Sequence, residues 1–378
     1  MQFIDLKKQY AIIQKSLSAR FADILEDSRF IMGKEVTELE EALAEYVGVR
    51  HCITCANGTD ALQLALMSRS IGKDDAVFVP SFTFYATSEA VSITGATPIF
   101  VDVRPETFNI DPIKLETAIK NVMSEGKLNP KAVIPVDLFG LPAEYDKIRK
   151  ITEKYGIIVI EDAAQGFGGS INGRKACSFG DISTTSFFPA KPLGCYGDGG
   201  AVFTDDDETA CLINSLKVHG KGYDKYQNVR VGMNSRLDTL QAAVLLDKLK
   251  VFDSELEERN RVASSYEAGL KNVLMVPTVG KTDKKVFYSS WAQYTLLASS
   301  EQERNGIMKH LSEKKIPTMI YYAIPLHKQE VYKNLYSDYC DLSVSEDICQ
   351  RVFSLPMHPY LERSETDYII ESIKEYFK

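Results

Sequence analysis

The sequence predicts a doubly wound α/β protein whose core is a mostly parallel sheet with helices against it. Three observations lead there. Short runs that are apolar on both faces recur at 52–55, 76–79, 97–101, 132–136, 157–160, 184–187 and 200–204, enough for seven strands. Strands covered on both sides read this way, whereas half-exposed strands alternate. Helical patterns separate the runs, and parallel neighbours require such crossovers. The third observation is length: 378 residues exceed what one packed core usually serves, so two domains are expected. Residues 1–245 form the larger, with a helical arm at the N-terminus, and 246–378 the smaller, of α+β character. A long helical pattern over 238–260 joins them.

Bulk properties exclude several classes of function. A net charge of −8, without a Lys/Arg run, argues against a nucleic-acid partner. It leaves room for a local pocket that takes a small phosphorylated ligand. Of seven Cys, only Cys52 and Cys55 form a C-x-x-C. No second pair or His pair stands at zinc spacing, so no metal is expected and the two read as small residues of a buried strand. The N-terminus has no apolar signal core, and no stretch approaches the roughly 20 apolar residues of a membrane span. A cytoplasmic protein with reduced thiols and no membrane partner is expected.

Four features bear on chemistry. Lys191 stands between Pro189 and Pro192, ahead of the cluster Gly197-Asp198-Gly199-Gly200. Taken alone it reads as a solvated loop lysine; in a loop of fixed geometry, burial could make it a nucleophile. The apolar run 157–160 ends in Glu161-Asp162, which places carboxylates at the strand edge where α/β sheets bind ligands. The plainer alternative is a helix N-cap. Ala56-Asn57-Gly58-Thr59-Asp60 opens a helix and suits a phosphate through its free N–H groups, although an ordinary cap is the commoner case. Ser186, five residues before Lys191, can donate to the same anion. An amine, an acid and an anion cradle together call for a ligand with an aldehyde, a basic ring nitrogen and a phosphate. Pyridoxal phosphate carries all three.

At these residues the chain resembles the sugar aminotransferases of the DegT/DnrJ/EryC1/StrS family, a branch of the fold-type I pyridoxal-phosphate enzymes. The resemblance runs nearly end to end. It includes Phe30-Ile31-Met32-Gly33-Lys34-Glu35-Val36, Asn57-Gly58-Thr59-Asp60, Pro80-Ser81-Phe82-Thr83-Phe84-Tyr85-Ala86-Thr87 and Glu161-Asp162-Ala163-Ala164-Gln165. The segment 186–191, Gly232-Met233-Asn234-Ser235-Arg236 and Tyr322-Ala323-Ile324-Pro325-Leu326-His327 complete it. It implies that Lys191 holds the cofactor and then shuttles the proton, that Asp162 pairs with the ring nitrogen, and that Gln165 meets the ring hydroxyl. Phe84 would stack on the ring, and Gly58, Thr59 and Ser186 would hold the phosphate. Asn234 would reach it from a neighbouring subunit, making a homodimer with shared active sites. Arg236, Tyr321 or Tyr322, and His327 fall where family members contact substrate. Plainer roles are open for Arg236 as an interface anchor and for His327 as a satisfied core residue.

The implied reaction moves the amino group of L-glutamate, released as 2-oxoglutarate, onto a nucleotide-linked keto sugar for surface polysaccharide synthesis. The segment Ser186-Phe187-Phe188-Pro189-Ala190-Lys191-Pro192-Leu193-Gly194 is similar to enzymes that act on UDP-linked 2-acetamido-3-keto sugars, the uronic acid included. The alternative is amination at C4 of a 4-keto-6-deoxy sugar. Arg236 could pair with a uronate carboxylate. Cys177 stands where a smaller residue is usual and is expected only to pack. Three rivals remain. A related dehydrase would carry His in place of Lys191. A non-catalytic regulator would be expected to add a DNA-binding module. A dinucleotide oxidoreductase is suggested by Gly166-Phe167-Gly168-Gly169, but Ile171 spoils the G-x-G-x-x-G pattern.

Overall fold

In the computed structural model, every residue is described except 225, 280, 283, 284 and 335–338. The strands come first along the chain as β1 (His51–Cys55), β2 (Asp75–Pro80), β3 (Thr97–Val101), β4 (Asn129–Val133) and β5 (Ile158–Asp162). Two short strands, β6 (Ser170–Ile171) and β7 (Arg174–Lys175), precede β8 (Ile182–Ser186) and β9 (Gly200–Thr204). Seven of these build one sheet in the order β1-β9-β8-β5-β4-β2-β3. Only β9 runs antiparallel to its neighbours; all the other pairs are parallel. β2 and β9 are buried at every residue, as the doubly apolar runs require.

One run departs from expectation by three residues, more than any other. The pattern predicts a strand over 132–136, but β4 starts at Asn129 and stops at Val133, with a lone bridge at Val136. Pro135 has no N–H to give to the ladder, which interrupts the pairing there. The carbonyl of Pro135 still accepts from the Asp162 N–H at 2.9 Å, so the neighbouring strand end is held in place.

Helices α1 (Leu6–Asp27), α2 (Lys34–Val47), α3 (Gly58–Ser68), α4 (Ala86–Ile93), α5 (Pro112–Glu125), α6 (Tyr145–Tyr155) and α7 (Asp207–Leu216) accompany the sheet. The long α8 (Thr239–Leu270) runs ten residues beyond the expected pattern. Its first half, at Phe252 and Leu256, packs into the sheet core. Its second half, at Val262, Tyr266 and Leu270, packs into another. That second core lies over the antiparallel pair β12 (Tyr294–Leu297) and β13 (Val352–Leu355), which follows β10 (Lys281–Thr282) and β11 (Lys285–Tyr288). It is closed by α9 (Glu301–Glu313) and α11 (Arg363–Tyr376), with α10 (Ser343–Arg351) between them. Among the described residues no helix is long and apolar enough to cross a membrane.

A buried polar network ties α8 to both chain ends. Glu255 accepts from Gln9 Nε2 at 3.0 Å and from the Tyr360 hydroxyl, and Arg259 donates to the Trp291 carbonyl at 3.1 Å. Burial, reinforced by Arg259, pushes the neighbouring His358 down to about 4. The unfolded chain therefore binds a proton that the folded one refuses, and stability is lost as pH falls from about 6.5 towards 4. Denaturant titrations across this window should show up to about 3 kcal/mol of such loss. In His358→Gln that component of the slope should be absent.

Candidate active site

The parallel strands bring their carboxyl ends to one edge, and β5 delivers two adjacent carboxylates there. Successive strand residues face opposite sides, so the pair divides. Glu161 is buried and accepts from the N–H groups of Cys177, Phe179 and Gly180 at 2.6, 2.7 and 3.0 Å, and from the Ser183 hydroxyl at 2.8 Å. It is a structural clamp. Asp162 faces a cavity, with Thr87 Oγ1 donating to Oδ2 at 3.0 Å and the Ala164 N–H to Oδ1 at 3.1 Å. Burial raises its pKa, against the pull of those two donors and of the Lys191 charge. No helix starts at Asp162, which ends a strand; the N-cap alternative is not what the chain does.

Lys191 is presented by the loop between β8 and β9. That loop is closed by its own backbone: Lys191 N–H to the Phe188 carbonyl and Cys195 N–H to the Phe187 carbonyl, both 2.8 Å. Desolvation depresses the Lys191 amine, with Asp162 pulling the other way. A depressed ammonium supplies more free amine at neutral pH, as a nucleophilic lysine needs. From beneath, Lys248 on α8 holds the loop. Fully buried, it donates to the Gly194 carbonyl at 2.6 Å and sits 4.2 Å from the centre of the Tyr196 ring; burial brings its pKa down to about 8. Lys248→Met should orphan that carbonyl at a cost of about 1–3 kcal/mol. Acting through the loop, it should lower kcat roughly tenfold with little change in KM, since misplacing a reacting group costs rate rather than binding. Steady-state kinetics with a thermal melt would check both.

An anion cradle faces the amine. Asn57 caps α3 by accepting the Asp60 N–H at 2.8 Å, so the first N–H groups of the helix, at Gly58 and Thr59, point outward with no helical partner. Ser186 stands opposite. A Cβ on Gly58 would lie 2.7 Å from the Ser186 Cβ, and one on Gly200 would lie 2.4 Å from the Asn57 carbonyl. Only glycine lets helix start and strand end approach so closely.

These groups line one cavity of about 600 Å³, together with Phe84, Gln165, Tyr321 and Tyr322. Gln165 accepts the Phe139 N–H at 2.6 Å and donates to the Tyr322 hydroxyl at 3.0 Å, which leaves one amide hydrogen for a ligand. The Phe84 ring is 55% exposed at the cavity, an apolar face open to a planar partner. Nine expected residues thus converge: Gly58, Thr59, Phe84, Asp162, Gln165, Ser186, Lys191, Tyr321 and Tyr322. Three do not line the cavity of their own chain. Exposed Asn234 accepts from Arg236 Nη2 at 2.6 Å, in a segment bridged to Val218 whose Ser235 hydroxyl accepts the Ala56 N–H at 3.0 Å. His327, expected at the substrate, is instead buried between elements. Its Nδ1 pairs with Ser81 at 2.6 Å and its Nε2 with Glu346 at 3.1 Å, so both ring nitrogens are engaged away from the cavity. Cys177 packs as expected, fully buried at φ 72°, and Cys52 and Cys55 are buried thiols of β1. Sequence reasoning missed Thr87, Lys248 and Gln293. Thr87 ends the family-like segment 80–87, and Lys248 is a Lys on the apolar face of a helix, a detectable anomaly.

The donors fit the ligand. A phosphate suits the α3 terminus, a pyridine nitrogen suits a buried acid, an aldehyde suits a depressed amine, and a ring suits Phe84. A cavity of this kind, at the carboxyl edge of a seven-stranded mostly parallel sheet, belongs to the pyridoxal-phosphate-dependent aminotransferases. Residues 11–374 match the DegT/DnrJ/EryC1/StrS aminotransferase family, and the chain belongs to it.

Its relatives include a UDP-2-acetamido-2-deoxy-3-oxo-D-glucuronate aminotransferase of Pseudomonas aeruginosa, 44% identical over 99% of both chains. A UDP-N-acetyl-3-dehydro-α-D-glucosamine 3-aminotransferase of Acidithiobacillus ferrooxidans is 38% identical, over 98% of this chain and 96% of that one. A protein of Geobacillus stearothermophilus named as a pleiotropic regulatory protein is also 38% identical, over 99% and 98%. Because that relative is of nearly the same length as this chain, length does not separate a regulator from an enzyme; the Lys191 cavity carries that distinction. Among solved structures, a family aminotransferase from Brucella abortus superposes with a TM-score of 0.96 at 50% identity, over 100% and 99%. A sugar aminotransferase of Streptococcus pneumoniae in its pyridoxal-phosphate form scores 0.87 at 26% identity, over 96% of each chain. The protein is a pyridoxal-phosphate-dependent sugar aminotransferase.

Proposed function

We propose that this protein transfers the amino group of L-glutamate to C3 of a UDP-linked 2-acetamido-3-keto sugar, the 3-keto uronate foremost, for surface polysaccharide synthesis. The observation that carries the transfer chemistry is Lys191 and Asp162 lining one cavity opposite an anion cradle. The C3 position is supported by the 186–194 segment and by the activity for which the 44% identical relative is named. The enzyme works in the cytoplasm as a homodimer, each subunit lending Asn234 to its neighbour's phosphate site and Arg236 to the sugar carboxylate. Residues 1–245 form the cofactor domain and 246–378 the smaller domain, with α8 as a shared strut.

The bound cofactor supplies an electron sink for the substrate carbon that loses or gains a proton. The chain's own residues do the rest. Gly58, Thr59 and Ser186 bind the phosphate through N–H and hydroxyl donors. Asp162, aimed by Thr87 and the Ala164 N–H, keeps a positive charge on the ring nitrogen. Phe84 covers the ring and keeps water from it. Lys191 Nζ moves the proton, taking it from the glutamate carbon in one half of the cycle and delivering it to the sugar carbon in the other.

The test is an amination screen with glutamate and UDP- or dTDP-linked 3-keto and 4-keto sugars, the new C–N bond being located by NMR. Turnover confined to 4-keto sugars would reject the C3 assignment. An Arg236→Ala enzyme with undiminished activity on the uronate would remove the carboxylate contact.

A further inference from the structure

Most polar groups that line the cavity already have work within the protein. Asp162 is held by Thr87 and Ala164, and Gln165 by Phe139 and Tyr322. Gln293 does not. It stands immediately before β12, its backbone N–H reaching the Phe139 carbonyl at 3.4 Å, and it lines the cavity beside Tyr321 and Tyr322 as well as a much smaller pocket beside Phe139 and Trp291. The residue is only 8% exposed, and its Oε1, which has no hydrogen-bond partner among the described residues, is itself closed off from the cavity. Among the described residues its amide nitrogen makes no hydrogen bond either. A buried amide left unsatisfied costs stability, and one that borders a substrate cavity gains partners by turning towards the ligand.

The chemistry of the amide indicates which ligand. The aldehyde, ring nitrogen, ring hydroxyl and phosphate of the cofactor are met by Lys191, Asp162, Gln165 and the α3 cradle. An amide needs a partner that both donates and accepts. The carboxylates of glutamate only accept, whereas a sugar hydroxyl or an acetamido group does both. We infer that Gln293 is a specificity residue of the acceptor half-reaction, its side-chain amide hydrogen-bonding the hydroxyl or acetamido group of the nucleotide-linked sugar. The inference rests on the sugar-nucleotide reading above and adds to it the group that recognises the hexose itself. A site built to pair a hydroxyl discriminates strongly against ligands that lack one.

The experiment is calorimetric binding of UDP-N-acetylglucosamine, which has no keto group to react, and of UDP alone to the pyridoxal-phosphate-loaded enzyme. Gln293→Leu and Gln293→Met both remove the amide while keeping its bulk. In each, Kd for the sugar nucleotide should rise about tenfold, Kd for UDP should change less than twofold, and the near-visible cofactor band should persist. The rate at which glutamate bleaches that band should fall by less than the sugar affinity does. Unchanged sugar affinity, equal weakening towards UDP and the sugar nucleotide, or loss of the cofactor band would each overturn the inference. A wild-type enzyme that binds neither ligand would instead overturn the sugar-nucleotide reading itself, and the Gln293 role with it.

Discussion

Lys191→Ala is expected to cut turnover by about a thousandfold or more, within the range general acid–base groups command, and to leave the fold intact. The side chain is half-buried and makes no hydrogen bond among the described residues, so truncation opens no core cavity and orphans no partner. What disappears is the amine whose pKa the pocket depresses. Borohydride reduction followed by mass spectrometry should tag residue 191 with the cofactor in the wild type and tag nothing in the variant. A melting temperature within a few degrees of wild type would show that the loss is chemical. Retained turnover would mean that another base moves the proton, and the described cavity contains no second amine.

Asp162→Asn should cost about 10²–10³ in kcat, the usual loss when one preorganised electrostatic partner is removed. The amide can still accept from Thr87 or from the Ala164 N–H, so geometry is largely kept and charge alone is lost. The pH profile then distinguishes this role from a structural one. Burial raises the Asp162 pKa above the ordinary carboxylate value, so wild-type activity should decline as pH falls through that raised value and the carboxylate takes up a proton. The variant has no such group to titrate, and its kcat should be flat over the same range. An acid limb that survives unchanged in Asp162→Asn would assign the titration to another residue.

The local pattern determined a good deal. β3 and β9 lie on the residues of their apolar runs, 97–101 and 200–204, because burial on both faces writes itself into a continuous stretch of sequence. Lys191 between its prolines, the Glu161-Asp162 strand end and the Asn57-Gly58-Thr59 turn were legible for a related reason. Each depends on residues within a few positions of one another. Pro135 shows the limit of the same logic, since an apolar run does not reveal which residue withholds its N–H from the ladder.

Only the tertiary structure decided the rest. Glu161 and Asp162 are adjacent carboxylates, and which one faces the ligand depends on what packs against each side of β5. His327 is held by Ser81 and Glu346, and Lys248 by Gly194, partners 246, 19 and 54 residues away. Gln293 is notable only because nothing among the described residues satisfies its side chain. Periodicity records how a residue relates to its own element, whereas a side chain's function here depends on which distant groups the folded chain sets beside it and which it leaves unpaired.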